Sequence, residues 1–361
     1  METGVSYFSG RDLRHVEADL ADMVAHNCTY VVHCFTETDL LWNRGTMAQV
    51  FRATREAGLE TWADPWGVAG IFSGETLSRF VAEHHEAWQQ LSDSRRVPVA
   101  CPSHPATRDF VKTWIAAVAE AGATVAFWDE PHLHSTAWSG DYSGAWSCHC
   151  EHCRDVFKAQ SGLEPPTVFG PEAVVFREHI LVDFLTEMAA EAGRAGMRNA
   201  LCLLPSAFGN HGFPQVVEAM RERLRKRIED ERLEQVLGPL LHFGIDDWSR
   251  AAAIPGLDTF GTDPYWFLFD VEPEPFMRAF AERAISVART RGLKAQLWLQ
   301  AFSVPDGRED ELRMGARVAA ELGADSLAAW SYRGTASMSK IASARPEVVW
   351  RILGEAFAEV R

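Results

Sequence analysis

Short apolar segments alternate with helical segments along almost the whole chain, and this alternation limits the possible folds more than any other feature. Eight segments are short, apolar and rich in β-branched or aromatic residues, so each is predicted as a strand. They span residues 29–35, 60–63, 96–100, 124–128, 200–204, 258–261, 294–299 and 326–330. Amphipathic segments, several of which end at a glycine, separate them. This order predicts parallel strands joined by helical crossovers.

Eight strand–helix units within 361 residues favour a closed (β/α)8 TIM barrel, an α/β fold. An open doubly wound sheet is the alternative, but no glycine-rich phosphate-binding motif follows the first predicted strand. Helices are predicted over residues 13–26, 46–57, 77–91, 109–121, 174–192, 214–237, 276–291, 310–322 and 346–360, while residues 239–257 fit neither pattern. We see neither a linker nor an internal repeat and predict one barrel domain over residues 1–361, with a loop insertion after strand 4 at about 133–170.

The composition excludes several classes of partner. The formal net charge is −15, and no basic patch offsets it, so we expect neither nucleic acid nor an acidic membrane surface as a partner. No segment is long and apolar enough to cross a bilayer, and the first residues lack the pattern of a signal peptide. We therefore predict a cytoplasmic protein. Homo-oligomers are common among barrels of this kind, and one is possible here.

The segment 124–132, Thr-Val-Ala-Phe-Trp-Asp-Glu-Pro-His, carries the strongest indication of a catalytic site. Asp129 and Glu130 lie where the predicted strand ends, next to Trp128 and His132. Unpaired carboxylates are rarely buried within strands, and the active sites of barrel enzymes lie at the carboxyl ends of strands. The alternative is an Asp that caps a turn and a Glu that pairs with an arginine.

Acidic and aromatic side chains dominate the ends of the predicted strands, whereas Lys and Arg are nearly absent apart from Arg333. The residues at these positions are Glu37, Asp39, Asp64, Trp66, His104, Asp129, Glu130, Ser206, Asp263, Tyr265, Trp266, Trp298, Gln300, Trp330 and Tyr332. Such a pocket does not suit a phosphate. It suits a sugar, whose C–H faces stack on rings and whose hydroxyl groups bind carboxylates. Cleavage of a glycosidic bond requires a carboxylic acid that protonates the leaving oxygen, and Glu130 is the predicted acid.

Four of the seven cysteines form a pattern typical of a metal site. Cys148, Cys150 and Cys153 lie within six residues, and three thiolates at this spacing can bind one tetrahedral zinc ion. Cys101 is the predicted fourth ligand, with His149 and His152 as alternatives. A closed four-thiolate site would be structural. Cys28, Cys34 and Cys202 lie in or beside apolar segments and are predicted as buried free thiols.

Residues 96–160 resemble the barrel domain of the zinc-containing β-galactosidase family in clan A of the glycoside hydrolases. The resemblance rests on Cys101-Pro-Ser-His-Pro-Ala-Thr-Arg108, on the carboxylates that end strand 4, and on the three cysteines followed by Phe157. It implies that Glu130 is the general acid/base and that Cys101, Cys148, Cys150 and Cys153 bind zinc. Trp330 is similar to the tryptophan on which the clan's sugar substrates stack.

Two positions depart from the clan's pattern. Asp129 replaces an asparagine, and Gln300 occupies the position of the nucleophilic glutamate, although a neutral amide cannot form a glycosyl-enzyme intermediate. The adjacent Asp-Glu pair is similar to that of the substrate-assisted N-acetylhexosaminidases, in which the Asp orients the substrate's attacking acetamido group and a tyrosine, here Tyr265, often assists. Alternatively, Asp263, Asp64 or Glu37 acts as nucleophile or base, and a separation of roughly 6.5–9.5 Å from Glu130 would indicate inversion.

The leading hypothesis is a glycoside hydrolase that acts on a small glycan or glycoside. Its candidate substrate-binding residues are Glu37, Asp64, Trp66, Tyr265, Trp266, Trp298 and Trp330. One alternative is a sugar-binding barrel that has lost catalysis, as Gln300 suggests. The other is a hydrolase with a catalytic zinc, which is disfavoured because catalytic zinc usually has His and carboxylate ligands.

Overall fold

Eight parallel strands close into a barrel in a computed structural model that describes residues 1–8, 10–136, 140–205, 213–242, 244–269 and 271–361. The barrel strands are β1 (Glu2–Tyr7), β2 (Tyr30–Cys34), β3 (Glu60–Asp64), β6 (Val125–Asp129), β7 (Arg198–Leu203), β8 (Thr259–Thr262), β9 (Lys294–Gln300) and β10 (Ser326–Trp330). Consecutive members of this series are neighbours, and β10 pairs with β1 to close the barrel. The predicted TIM barrel is confirmed.

The prediction missed one barrel strand and counted one strand that is not in the barrel, so the predicted number of eight is still right. The first barrel strand is β1, which the prediction missed. Residues 96–100, predicted as the third barrel strand, form β5 (Arg96–Ala100) and pair antiparallel with β4 (Trp88–Gln90) in a separate hairpin. The third strand, β3, pairs directly with β6 through Trp62 and Val125. Asp129 consequently still ends the fourth barrel strand.

The packing of the barrel interior explains why β1 was not predicted. Gly4 leaves room for the ring of Tyr30, since a Cβ atom at Gly4 would lie 2.1 Å from that ring. Tyr30 in turn stacks on Trp62, with ring centroids 4.4 Å apart. Large rings from other strands fill the interior, so β1 needs small side chains such as Ser6 and lacks the usual apolar pattern of a strand.

Helices surround the barrel and connect its strands. They are α1 (Leu13–Ala25), α2 (Glu37–Trp42), α3 (Arg44–Glu56), α4 (Arg79–Glu83), α5 (Pro105–Ala121), α6 (Glu151–Ser161), α7 (Pro171–Arg194), α8 (Pro214–Arg225), α9 (Leu233–Leu241), α10 (Trp248–Ala251), α11 (Pro273–Arg291), α12 (Glu311–Glu321) and α13 (Pro346–Val360). The helix predicted over 77–91 is wrong, because that region holds only α4, one 3₁₀ turn and β4. The helix predicted over 214–237 divides into α8 and α9. Across the described ranges, no helix has the length and apolarity needed to span a membrane.

Candidate active site

Four carboxyl groups gather at the carboxyl end of the barrel, and each comes from the end of a strand. Asp64 ends β3, Asp129 ends β6 and is followed by Glu130, and Asp263 follows β8 directly. Asp64 and Asp263 are almost completely buried, and Asp129 is 9% exposed. The barrel therefore brings together four of the acidic residues that were predicted to act in catalysis or substrate binding.

Glu130 is held in an unusual backbone conformation at the end of β6. Its φ is +40°, a value that favours glycine and that, in other residues, is concentrated at functional sites. Its amide donates to the carbonyl of Cys202 on β7 at 3.1 Å. Its carboxylate Oε2 accepts a 2.5 Å hydrogen bond from the hydroxyl of Ser73. These contacts fix both the backbone and the side chain of Glu130 at the barrel mouth.

Asp263 is buried, and its carboxyl group feels the charge of Glu130. Burial raises the pKa of Asp263 well above its usual value, and the charges of Glu130 and Asp129 raise this pKa further. No N–H or O–H group of the described residues donates to either oxygen of Asp263. A buried carboxyl group with a raised pKa and no donor beside it holds its proton more firmly than a free aspartate does.

Asp64 and Asp129 are also surrounded by negative charge. Burial raises the pKa of both groups well above the usual value, and the charge of Glu130 contributes in each case. The Cys34 thiol, 3.4 Å away, donates to one oxygen of Asp64, whereas the other has no partner among the described residues. Asp64 and Asp129 therefore keep their protons to a higher pH than free aspartates do.

A cavity of about 590 Å³ opens over these carboxyl groups, which is within the size range of small-molecule sites. No lysine or arginine lines it in the described part of the chain. Its lining includes Asp129, Glu130, Tyr265, Trp66, Trp330, His132, Phe72, Ser73, Glu75, Leu204, Leu268, Phe302, Val99 and Ile341, with glycines of the loop after β3. An acidic floor with aromatic walls is the surface that was predicted for a sugar.

One aromatic wall of the cavity is built around Phe8. Its ring stacks on Trp66 at 5.1 Å between centroids and on Trp330 at 5.8 Å. The indole Nε1 of Trp66 has no partner among the described residues, which leaves a buried donor beside the cavity. The opposite wall contains Tyr265 and Phe302, whose rings meet edge to face at 5.2 Å.

Three further predicted site residues, on or after the last strands, do not line the cavity. Trp266 is fully buried and donates to Glu311. Trp298 donates to Gln296 inside the barrel. Gln300 donates to the carbonyl of Phe302, and its own side-chain oxygen has no partner among the described residues.

Glu37 supports the loop that covers the cavity. Its carboxylate accepts hydrogen bonds from the amides of Ala69 and Phe80 and from the hydroxyl of Ser78. Among the other strand-end residues, Asp39 pairs with Arg11, and Tyr332 donates to Asp19 and Asp22. Ser206 lies outside the described residues.

Sequence reasoning missed Ser73 and Glu75, which lie in the loop between β3 and α4 and line the cavity. Burial raises the pKa of Glu75, as does the charge of Glu130. The only indication in the sequence was the pair of glycines, Gly70 and Gly74, which permits a tightly folded loop. Both have positive φ values.

The four predicted cysteine ligands come together beside the hairpin. The sulfur atoms of Cys101, Cys148, Cys150 and Cys153 all lie within 4.8 Å of one another, and Cys101 is 3.4 Å from the sulfur atoms of both Cys150 and Cys153. Four thiolates around one zinc ion at the usual Zn–S bond length would be about 3.8 Å apart. The cluster therefore fits a tetrahedral metal ion. Cys28, Cys34 and Cys202 are buried and free, as predicted.

No protein-family model matches the sequence, and no curated protein sequence matches it. Solved structures match the fold. The β-galactosidase of Rahnella sp. R3 has a TM-score of 0.68 at 12% identity, covering 100% of this chain and 56% of its own. The β-galactosidase of the haloarchaeon Halorubrum lacusprofundi has a TM-score of 0.66 at 13% identity. The match covers 100% of this chain and 58% of the β-galactosidase chain. The endo-β-1,4-mannanase of Thermotoga petrophila has a TM-score of 0.57 at 12% identity. The match covers 99% of this chain and 76% of the mannanase chain.

The barrel fold that the resemblance implied is therefore confirmed. This chain spans a little under three fifths of the length of the two β-galactosidases. At such low identities, the similarity establishes the barrel fold alone.

Proposed function

We propose that this chain is a glycoside hydrolase in which Glu130 is the general acid/base. The place of Glu130 carries the proposal: it follows the fourth barrel strand and lines a cavity whose walls include Trp66 and Trp330. A general acid must reach the glycosidic oxygen while the sugar ring is held, and aromatic rings hold sugars through their C–H faces. The substrate class is a small carbohydrate.

The arrangement around Glu130 favours one source for the second catalytic group. A base or nucleophile must be ionised, whereas burial and the charge of Glu130 raise the pKa of Asp263 well above its usual value. Asp64 is buried below the cavity, and Glu37 is saturated by three donors. Gln300 is neutral. These placements support a route in which the substrate supplies its own nucleophile.

In this route, the oxygen of a 2-acetamido group attacks the anomeric carbon while Glu130 donates a proton to the leaving oxygen. Asp129 accepts a hydrogen bond from the acetamido N–H, and the hydroxyl of Tyr265 donates to the acetamido oxygen. Glu130 then removes a proton from the water that attacks the anomeric carbon, which regenerates the acetamido group. Positive charge develops on the acetamido group during attack, and the hydrogen bond from its N–H to Asp129 stabilises it.

We propose that the four cysteines hold one structural zinc ion. Four thiolate ligands fill a tetrahedral coordination shell and leave no position for a catalytic water. When bound, the metal would join the end of β5 to the segment that precedes α6. A closed four-thiolate site disfavours the alternative hypothesis, a hydrolase with a catalytic zinc.

A panel of 4-nitrophenyl glycosides tests the function. We expect hydrolysis of 2-acetamido sugars but not of their 2-hydroxy analogues, and competitive inhibition by a thiazoline analogue of the cyclised intermediate. Glu130→Gln should lower kcat by about 10² to 10⁴, whereas Glu172→Gln, which changes an exposed glutamate of α7, should not. Equal turnover of both sugar classes would exclude the acetamido route but retain a glycosidase.

A sugar-binding barrel without catalysis is the second candidate, and the neutral Gln300 at the end of β9 favours it. Calorimetric binding of a sugar without turnover of any glycoside, and with equal affinity in wild type and Glu130→Gln, would support that candidate over the hydrolase.

A further inference from the structure

Gln89 occupies a central position between the four-cysteine cluster and the active site. It lies on β4 and is completely buried. Its side-chain nitrogen donates to the carbonyl of Ala100 at 2.9 Å. Its side-chain oxygen accepts from the hydroxyl of Ser147 at 2.6 Å and from the amide of His134 at 3.0 Å. One amide group thus binds three separate parts of the chain.

Two of these partners are adjacent to cysteines of the cluster. Ala100 precedes Cys101, and Ser147 precedes Cys148. The segment that contains Gln89 also contacts Ser147 through the backbone, because Leu91 bridges to Ser147. A shift of either cysteine would therefore move a group that Gln89 contacts.

The third partner belongs to the segment that follows Glu130. His134 is four residues beyond Glu130, and its amide is held by Gln89. Between them, the amide of His132 donates to the carbonyl of Ile71 at 2.9 Å, and its Nδ1 lies 2.7 Å from the carbonyl oxygen of Glu130. Both His132 and Glu130 line the cavity. The position of this segment thus depends on Gln89 at one end and on the loop after β3 at the other.

We infer that Gln89 is a positioning residue that couples metal binding at the four cysteines to the order of residues 131–136 and, through them, to the placement of Glu130. Metal binding would fix Cys101 and Cys148 relative to each other. Gln89 can keep its hydrogen bonds only if the preceding residues, Ala100 and Ser147, stay in place. Loss of the metal would then loosen the segment beside the acid. The effect on turnover rests on the proposed glycosidase function, but the effect on the backbone does not.

Hydrogen–deuterium exchange tests the coupling without any assay of activity. The wild-type chain loaded with Zn²⁺ is compared with the same chain treated with a chelator. We expect amides in peptides that cover 131–136 to exchange at least tenfold faster after chelation, while peptides of α13 remain unchanged. If chelation accelerates exchange only around residues 148–153, the inference is wrong.

Gln89→Leu provides the second arm, and Gln90→Leu is the matched control because the Gln90 side chain binds only the exposed carbonyl of Ser94. Gln89→Leu should keep one zinc per chain, since all four cysteines remain, yet show fast exchange at 131–136 even when loaded. Its kcat should fall about tenfold with little change in KM. Zinc retention with protected amides at 131–136 would contradict the inference, whatever the activity. Should Gln89→Leu fail to fold, the chelation arm still decides the question.

Discussion

The hydroxyl of Ser73 donates a 2.5 Å hydrogen bond to the carboxylate of Glu130, and the amide of Ser73 donates to the carbonyl of Asp129 at 3.2 Å. The loop after β3 therefore contacts both residues of the acidic pair. This loop is itself held by Glu37, which accepts hydrogen bonds from Ala69 and Ser78. The orientation of the proposed acid thus depends on a loop that the sequence did not mark as part of the site.

Ser73→Ala should lower kcat by about tenfold or more, because a hydrogen bond to a charged group contributes about 1.5–3 kcal/mol. Ser73→Thr keeps the hydroxyl and should retain most of the activity. Steady-state kinetics on the preferred glycoside measure both. An unchanged kcat in Ser73→Ala would show that this bond does not orient Glu130.

Asp263→Asn should stabilise the fold at alkaline pH. The pKa of Asp263 is higher in the folded chain than in the unfolded chain. The folded chain therefore holds a proton that the unfolded chain has lost, and stability falls as the pH rises above the ordinary aspartate value of about 4. Asn mimics the protonated form. The thermal unfolding midpoint of Asp263→Asn should be higher than that of wild type at pH 8 and about the same at pH 4. The control, Asp310→Asn, changes an exposed residue and should leave the midpoint unchanged at both pH values.

His33 should make the fold sensitive to acid. Burial is the main cause that lowers its pKa to about 3, and the charge of Arg11 adds to the effect. Below pH 6.5 the unfolded chain binds a proton that the folded chain does not, so stability should fall by up to about 1.4 kcal/mol per pH unit between pH 6.5 and 3. Urea unfolding at several pH values measures the slope. His33→Leu should reduce this slope, and the exposed His15→Leu should leave it unchanged.

Trp330→Ala should weaken binding of the substrate or thiazoline inhibitor by about tenfold, because a stacked ring contributes about 0.5–1.5 kcal/mol beyond its buried area. Trp42→Ala removes an indole that is 75% exposed and serves as the control. Calorimetry on both variants measures the difference. Equal affinities would remove Trp330 from the sugar site.

Cys101→Ser should lose bound zinc and lower the unfolding midpoint, since a closed thiolate site contributes directly to folding. Cys28→Ser changes a buried thiol outside the cluster and should keep one zinc per chain. Elemental analysis of both variants provides the measurement. Full zinc content in Cys101→Ser would exclude it as a ligand.

The sequence predicted the barrel and the acidic pair because both depend on local chemistry. An apolar run followed by Asp129 and Glu130 indicates the end of a strand, even when the strands before it are numbered wrongly. The miscounted segment 96–100 contains Pro98 and alternates in exposure, a pattern typical of an exposed hairpin, and this indication was overlooked.

The walls of the cavity were harder to predict, because they depend on side-chain direction and on the paths of loops. Trp330 lines the cavity whereas Trp298 points into the barrel interior, although both lie near the ends of strands. Both rings belong to the same interior cluster, but Trp298 pairs with Ala328, two residues before Trp330, so it lies deeper in the barrel. Ser73, Glu75 and Phe302 come from loops, and no residue pattern in the sequence fixes where a loop folds back.

The β4–β5 hairpin has a consequence for how substrate preference in this protein can change. It adds Val99 to the cavity wall, yet it contributes no strand to the barrel. Exchanging the residues at its exposed positions would reshape the entrance without altering the closed ring of strands on which the carboxyl groups are mounted. If the proposed function is correct, substitutions in this hairpin would change which glycosides enter but not the groups that cleave them.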